Sequence, residues 1–380
     1  MEGISKMNHV RNTMHFFGTY ALVGVLSLTM SFAPAYACTD ARVVAQDGSV
    51  LTARSMEFGA PVDSGLVVRP RGSQMQSPAP GGAKGLRWTA KYGFVYMDGF
   101  HLDAACDGLN EAGLGFGGLY LPGFAEYETI APGDNSKAVS NLQFGGWLLS
   151  QFATVAEVKA ALPSIHVWGE PVAAFGNSFI PVHYVVHDAK GNSIVLEWVG
   201  GKLNLYDNTV GVMTNSPPYD WQMTNLRNYI NLSPDNAKPV TVNGVEYSSA
   251  GQGSGLVGLP GDPTPPSRLV ETVVALNAAV KPKNDTEALV LGQKLMNRVD
   301  LPAGLARDPS SGESDITQWV VFRDHTNKVY YYRTYEDMTL QAVDLKKLDF
   351  SPGAPARRIA IASTKPTVRF IDPNSIPALK

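Results

Sequence analysis

From residue 38 onward, hydrophobic and polar positions alternate in short runs that end at turn residues. Residues 42–45 and 50–54 read as strands joined through Gln46-Asp47-Gly48-Ser49, because Asp-Gly supplies the backbone freedom that a tight hairpin needs. Residues 92–96 and 114–121 have the same β-type character. Residues 183–186 pair with 193–199 across Asp188-Ala189-Lys190-Gly191-Asn192, and 318–322 pair with 328–333 around Asp324-His325-Thr326-Asn327. Helical spacing appears over 141–152, 155–162 and 219–230. The clearest helix spans 267–280: Leu269, Val270, Val273, Val274, Leu276 and Ala279 share one face, and Pro265-Pro266 precede it. A second helix follows over 285–299. Residues 70–87, dense in Pro, Gly and Ser, read as an exposed loop. Hairpins in clusters with helices grouped between them predict an α+β fold with antiparallel sheets. No internal repeat or linker divides 38–380, which we read as one domain.

The first 37 residues follow another pattern. Lys6 and Arg11 precede an apolar stretch from Phe16 to about Phe32, and Ala35-Tyr36-Ala37 forms a small-residue cleavage site. Residues 1–37 are therefore expected to be a signal peptide, with a mature chain that starts at Cys38 in the periplasm or outside the cell. Gly24, Ser27, Ser31 and Pro34 interrupt the stretch, which falls short of the ~20 residues that span a bilayer. An uncleaved anchor is one alternative. Lipoprotein processing at Cys38 is another, although Ala35 stands where a lipoprotein signal has Leu. No other segment is apolar enough to cross a membrane, so no membrane partner is expected after processing. A net charge of -3 and the lack of a Lys/Arg stripe argue against nucleic acid.

The chain has two cysteines, Cys38 and Cys106. In an exported protein they could form a disulfide. The position of Cys38 directly behind the cleavage site favours a free Cys38 and leaves Cys106 as a separate thiol. Other chemical-looking motifs carry less. Gly113, Gly115 and Gly118 match G-x-G-x-x-G, but Leu121-Pro122-Gly123 ends the segment where a dinucleotide site needs a helix. His183 and His187 sit in a β-branched, aromatic run, and on a strand their rings would stand about 13 Å apart, too far for one metal. The chain has no G-x-S-x-G, H-E-x-x-H or P-loop. No metal and no cofactor is expected.

Cleavage after Ala37 would give Cys38 a thiol and a free α-amine on one residue. The amine has an ordinary pKa near ~7.7–8.0, so part of it is free base at neutral pH and can take the thiol proton. Arg54 and Glu57 lie at the end of the hairpin that starts at Cys38, which folds them back toward it. Arg54 can stabilise a thiolate and Glu57 can orient the ammonium. An ordinary surface ion pair is the plainer reading.

Cys38 with Arg54 and Glu57, then Asp107-Gly108-Leu109-Asn110-Glu111-Ala112-Gly113-Leu114, Met213-Thr214-Asn215-Ser216-Pro217-Pro218-Tyr219-Asp220-Trp221-Gln222, and Gly258-Leu259-Pro260-Gly261-Asp262 leading to Ser267-Arg268 resemble the choloylglycine hydrolase family, in family order from residue 38 to about 350. The resemblance implies an N-terminal-nucleophile hydrolase with a four-layer αββα sandwich, acting on carbon–nitrogen bonds other than peptide bonds in linear amides. It implies Cys38 as nucleophile and base, Arg54 against the sulfur, and Glu57 where many members have Asp. Asn215 would donate its side-chain amide to the oxyanion, and Arg268 would complete the charged set. Tyr120 lies where bile salt hydrolases carry Asn and penicillin V acylases carry Tyr; its backbone N–H would be the second oxyanion donor. The implied partner is a small acyl amide and the implied assembly a homotetramer. With the leader, Tyr120 leans toward a penicillin V or N-acyl-homoserine lactone substrate; a conjugated bile salt is the alternative, and a non-enzymatic lipid-anchored envelope protein the alternative of another class. Trp88, Tyr92, Phe94, Tyr96 and Trp221 are candidates for an acyl pocket.

Overall fold

The computed structural model describes residues 37–309, 312–362 and 365–369. The expected leader, apart from Ala37, lies outside the described residues. Two antiparallel sheets stack face to face. In the first, β1 (Cys38–Val44) and β2 (Val50–Phe58) pair as the Asp-Gly turn predicts, with Gly48 at φ 88° and the Asp47 carboxylate accepting from Ser49 N. Strand Val212–Met213 lies outside β1, and Ser314–Asp324, Val329–Thr334 and Gln341–Asp344 follow β2 in that order. The second sheet runs Lys202–Asp207, Ser193–Val199, Val182–His187, Gly115–Tyr120, Leu102–Asn110, Phe94–Gly99, Gly65–Arg69 and Arg357–Ala360.

Side-chain alternation then builds the layers. On β2, Leu51 and Ala53 face out and meet Leu269 and Val273 of a helix α4 (Pro265–Ala278), together with Ala288 and Leu295 of a helix α5 (Asp285–Met296). Met56 faces in and joins Val95, Leu109, Leu119, Val185 and Val195 of the second sheet. Tyr184, Val186, Ile194 and Leu196 point out of that sheet, beneath helices α1 (Phe144–Gln151) and α2 (Val155–Ala161). Gly145 lets α1 approach closely, because a Cβ there would meet Phe116 at 2.5 Å. The order helix, sheet, sheet, helix is the expected αββα sandwich. A sheet covered on both sides should be buried along its whole length, and every residue of β2 is. Thr154 and Asn284 cap α2 and α5 by accepting from Glu157 N and Glu287 N. The helix expected over 219–230 is shorter, Tyr219–Leu226 (α3), and ends in one 3₁₀ turn.

One expectation is corrected. Residues 70–87 are not a free loop: Gln74–Ala79 and Ala83–Thr89 form a hairpin. Trp88 anchors it, buried with its Nε1 donating to Ser150 Oγ at 2.9 Å. Gly81 and Gly82 form the turn, where both take positive φ.

Candidate active site

The hairpin register places the candidate nucleophile, Cys38. Cys38 stands opposite Met56 and Asp40 opposite Arg54, so Arg54 lies on the inner face beside Cys38. Its Nη2 reaches Cys38 Sγ at 3.7 Å and Gly118 O at 2.5 Å, while Nη1 donates to Cys106 O at 2.8 Å and pairs with Asp107 at 3.2 Å. The guanidinium lies over the Trp319 ring. On the other side of β1, strand Val212–Met213 pairs with Asp40 and Ala41 and delivers Asn215 to the Cys38 backbone. Asn215 Oδ1 accepts from Cys38 N at 2.5 Å and from Arg268 Nη2 at 2.9 Å; its Nδ2 donates one hydrogen to Tyr120 O at 2.9 Å. Arg268, in the first turn of α4, also donates to Cys38 O and Thr39 Oγ1, both at 2.6 Å. All six residues singled out in the sequence meet here.

Ala37 is still joined to Cys38 in this chain, so the nitrogen is an amide with one hydrogen. That hydrogen goes to Asn215 Oδ1. Ala37 O accepts from Glu57 N at 2.9 Å. The Glu57 carboxyl is fully buried: Oε1 accepts from Thr317 Oγ1 at 3.0 Å, and Oε2 has no donor in hydrogen-bonding geometry. Burial pushes its pKa up from the ordinary 4.5 to about 7, against the pull of Arg268. Burial also raises the Cys38 thiol, with Arg54 lowering it and Glu57 raising it. In the joined chain the thiol is therefore held neutral, and the base that would take its proton does not yet exist. Cys38 and Cys106 are both free, as read from the sequence, and burial pushes the Cys106 thiol up to about 12.

A cavity of about 80 Å³ opens beside Cys38, walled by Phe58, Phe100, Leu102, Tyr120, Val182 and Tyr184, with Cys106 also facing it. None of Trp88, Tyr92, Phe94, Tyr96 and Trp221 contributes to this wall, which corrects that expectation. Trp88, Phe94 and Tyr96 belong to the core beneath α1, and Trp221 is 46% exposed.

Sequence reasoning missed the charged layer under the site. Asp107 Oδ2 is shared by Arg54 and Arg323, Asp107 Oδ1 accepts from Tyr330 OH, and Asp40 pairs with Arg323 and His187. Asp40, Arg54, Asp107, His187 and Arg323 all have zero exposure. Two arginines facing two aspartates are charge-balanced, as burial demands. The available signal was an arginine at an inward position of the apolar run Trp319-Val320-Val321-Phe322-Arg323.

Residues 38–356 match the family model described as linear amide C–N hydrolases, choloylglycine hydrolase family, and the match starts at Cys38 itself. The chain belongs to that family. This choloylglycine hydrolase family member is 32% identical over 316 residues to the bile salt hydrolase/transferase of Clostridium perfringens, covering 82% of this chain and 93% of that protein. It is 25% identical over 370 residues to the penicillin V acylase of Pectobacterium atrosepticum, covering 94% of each. A mutant conjugated bile acid hydrolase from Clostridium perfringens superposes with a TM-score of 0.78 at 29% identity, over 88% of this chain and 100% of that one. The fold is that of the N-terminal-nucleophile hydrolases, and the protein is a hydrolase of carbon–nitrogen bonds, other than peptide bonds, in linear amides.

Proposed function

We propose that this amidase is exported, loses residues 1–37, and then cleaves an acyl amide of the penicillin V or N-acyl-homoserine lactone type through a thioester on Cys38. The observation that carries this is the convergence of Arg54, Asn215 and Arg268 on Cys38 beside an apolar cavity. Release of Ala37 turns the Cys38 amide into an amine. The amine takes the thiol proton, and the sulfur attacks the substrate carbonyl carbon. The second Asn215 Nδ2 hydrogen and the Tyr120 N–H receive the developing oxyanion. Collapse of the adduct breaks the C–N bond, and the ammonium gives its proton to the departing amine. Water then attacks the thioester, the amine accepts its proton, and the acid leaves with the thiol restored.

Three observations support this choice of acyl group. The cavity beside Cys38 is lined mainly by apolar and aromatic side chains, the surface against which an aryl or alkyl acyl group packs. Tyr120 stands in its wall. The similarity to the penicillin V acylase extends over 94% of the chain, against 82% for the bile salt hydrolase. The higher identity to the bile salt hydrolase favours the second reading, a conjugated bile salt. We also propose a homotetramer: residues 235–252 are exposed throughout and display Val240, Val242, Val245 and Tyr247 on a short hairpin.

The test is a purified chain beginning at Cys38, assayed on penicillin V, acyl-homoserine lactones and glycocholate. Acyl transfer from the first two, abolished by Cys38→Ala in a folded protein, is the expected result. Hydrolysis of glycocholate alone overturns the substrate assignment, and an active Cys38→Ala variant overturns the mechanism.

A further inference from the structure

The segment that carries Asn215 is held mainly through side chains: Ser216 Oγ donates to Pro122 O at 2.8 Å and Gln222 Nε2 to Asn215 O at 3.3 Å. Between Thr214 and Tyr219 it reads Asn215-Ser216-Pro217-Pro218, and the two prolines have no N–H to donate. Its two ends are gripped from the second sheet by one buried pair. His183 Nε2 lies 2.8 Å from Thr214 O, the carbonyl immediately before Asn215. His183 Nδ1 lies 2.7 Å from Glu197 Oε1. The two Glu197 oxygens accept from Tyr219 N, at the far end of the segment, at 3.0 and 3.1 Å. His183 is 1% exposed and Glu197 is not exposed at all.

The hydrogen bonds dictate the protons. A carbonyl can only accept, so His183 Nε2 carries a hydrogen. Nδ1 and Oε1 face each other at bonding distance, so a second proton lies between them. The pair thus holds two protons and is neutral overall, which a dry interior tolerates. It reaches no substrate. Among the described residues, its polar contacts outside itself are the two backbone ends of the Asn215 segment.

We infer that the His183–Glu197 pair is a positioning device that fixes Asn215 for oxyanion binding, so that its loss slows acylation far more than it weakens substrate binding or the fold. This rests on the reading of Asn215 as an oxyanion donor at Cys38. A misplacement of about 1 Å in such a donor costs on the order of 10- to 100-fold in rate.

Two variants in the chain that starts at Cys38 provide the test, read by single-turnover acylation, whose rate constant does not depend on how much enzyme is folded. H183L/E197M removes the grip with a neutral, apolar replacement of similar volume. Thr214 O and Tyr219 N lose their partners, so the unfolding temperature should fall by a few degrees, with KM unchanged while acylation slows by about 10- to 100-fold. E197Q keeps the grip on both ends of the segment, because its amide nitrogen, in the place of Oε1, donates to His183 Nδ1 and its oxygen, in the place of Oε2, accepts from Tyr219 N; only the second Glu197–Tyr219 bond is lost. Its acylation rate should stay within about twofold of wild type. Wild-type acylation in a folded H183L/E197M variant overturns the inference. If that variant does not fold, E197Q decides: a loss of tenfold or more refutes the bonding scheme, and retention supports it. A wild-type chain inactive on every amide is the failure of the preceding proposal instead.

Discussion

Glu57 offers a sharp test of how the site is set with Ala37 still attached to Cys38. Consider Glu57→Gln in a chain that begins at Ala37. The carboxyl is fully buried, Oε2 lacks a donor, and its pKa stands at about 7 against the ordinary 4.5 of the unfolded chain. The folded state holds the proton more tightly, so the stability this gives is complete below pH 4.5 and is lost as pH rises through 7. Between pH 5 and pH 8 the loss amounts to about 2–3 kcal/mol. Glutamine cannot ionise, so the variant should lose none of it. Urea unfolding of both proteins at pH 5, 6, 7 and 8 isolates this contribution, because every other titrating group is common to the two. The wild type should weaken relative to the variant by that amount across the series. In chains that begin at Cys38 the new ammonium should pull the carboxyl down and shrink the difference. A difference that is flat with pH in the Ala37 chain, or that grows in the opposite sense, would refute the reasoning.

Further outcomes follow from the same geometry. Asn215→Ala should lower kcat by about 10²–10³ with KM little changed, since it removes a donor used most in the transition state; steady-state kinetics on the preferred amide checks this. Asp107→Asn leaves Arg54 and Arg323 facing Asp40 alone in a layer with no solvent access, and should cost about 3–5 kcal/mol in urea unfolding. Leu148→Ala, in the core between α1 and the second sheet, should cost about 2–5 kcal/mol while kcat stays at the wild-type value. Ala104→Phe projects into the cavity beside Cys38 and should raise KM for penicillin V far more than for a short-chain acyl amide.

What was legible in the sequence is what depends on neighbours in the chain. The Asp-Gly turn at 47–48 brings Arg54 and Glu57 back to Cys38 through local rules alone, and the apolar face of 267–280 announced α4. Asn215, Arg268 and Tyr120 are 80 to 230 positions away from Cys38 and belong to other elements; only the family resemblance joined them to it. The hairpin at 74–89 was hidden by its prolines and glycines, which resemble those of a free loop. Strand Leu102–Asn110 escaped because Asp103 and Asp107 break its apolar pattern, and Asp107 is tolerated there only because two arginines from other strands meet it. The pocket aromatics were misjudged for a related reason. Composition shows that an aromatic ring will be covered but not which layer covers it, and Phe94 and Tyr96 are beneath α1.

The claim on which the account turns is that the thiol of Cys38 works only when its own nitrogen is a free amine. Two purified chains, one starting at Ala37 and one at Cys38, should be compared under identical conditions by thioester trapping with the preferred amide substrate. The account predicts a trapped acyl group on Cys38 in the shorter chain and none in the longer. Equal acylation of both chains would contradict it.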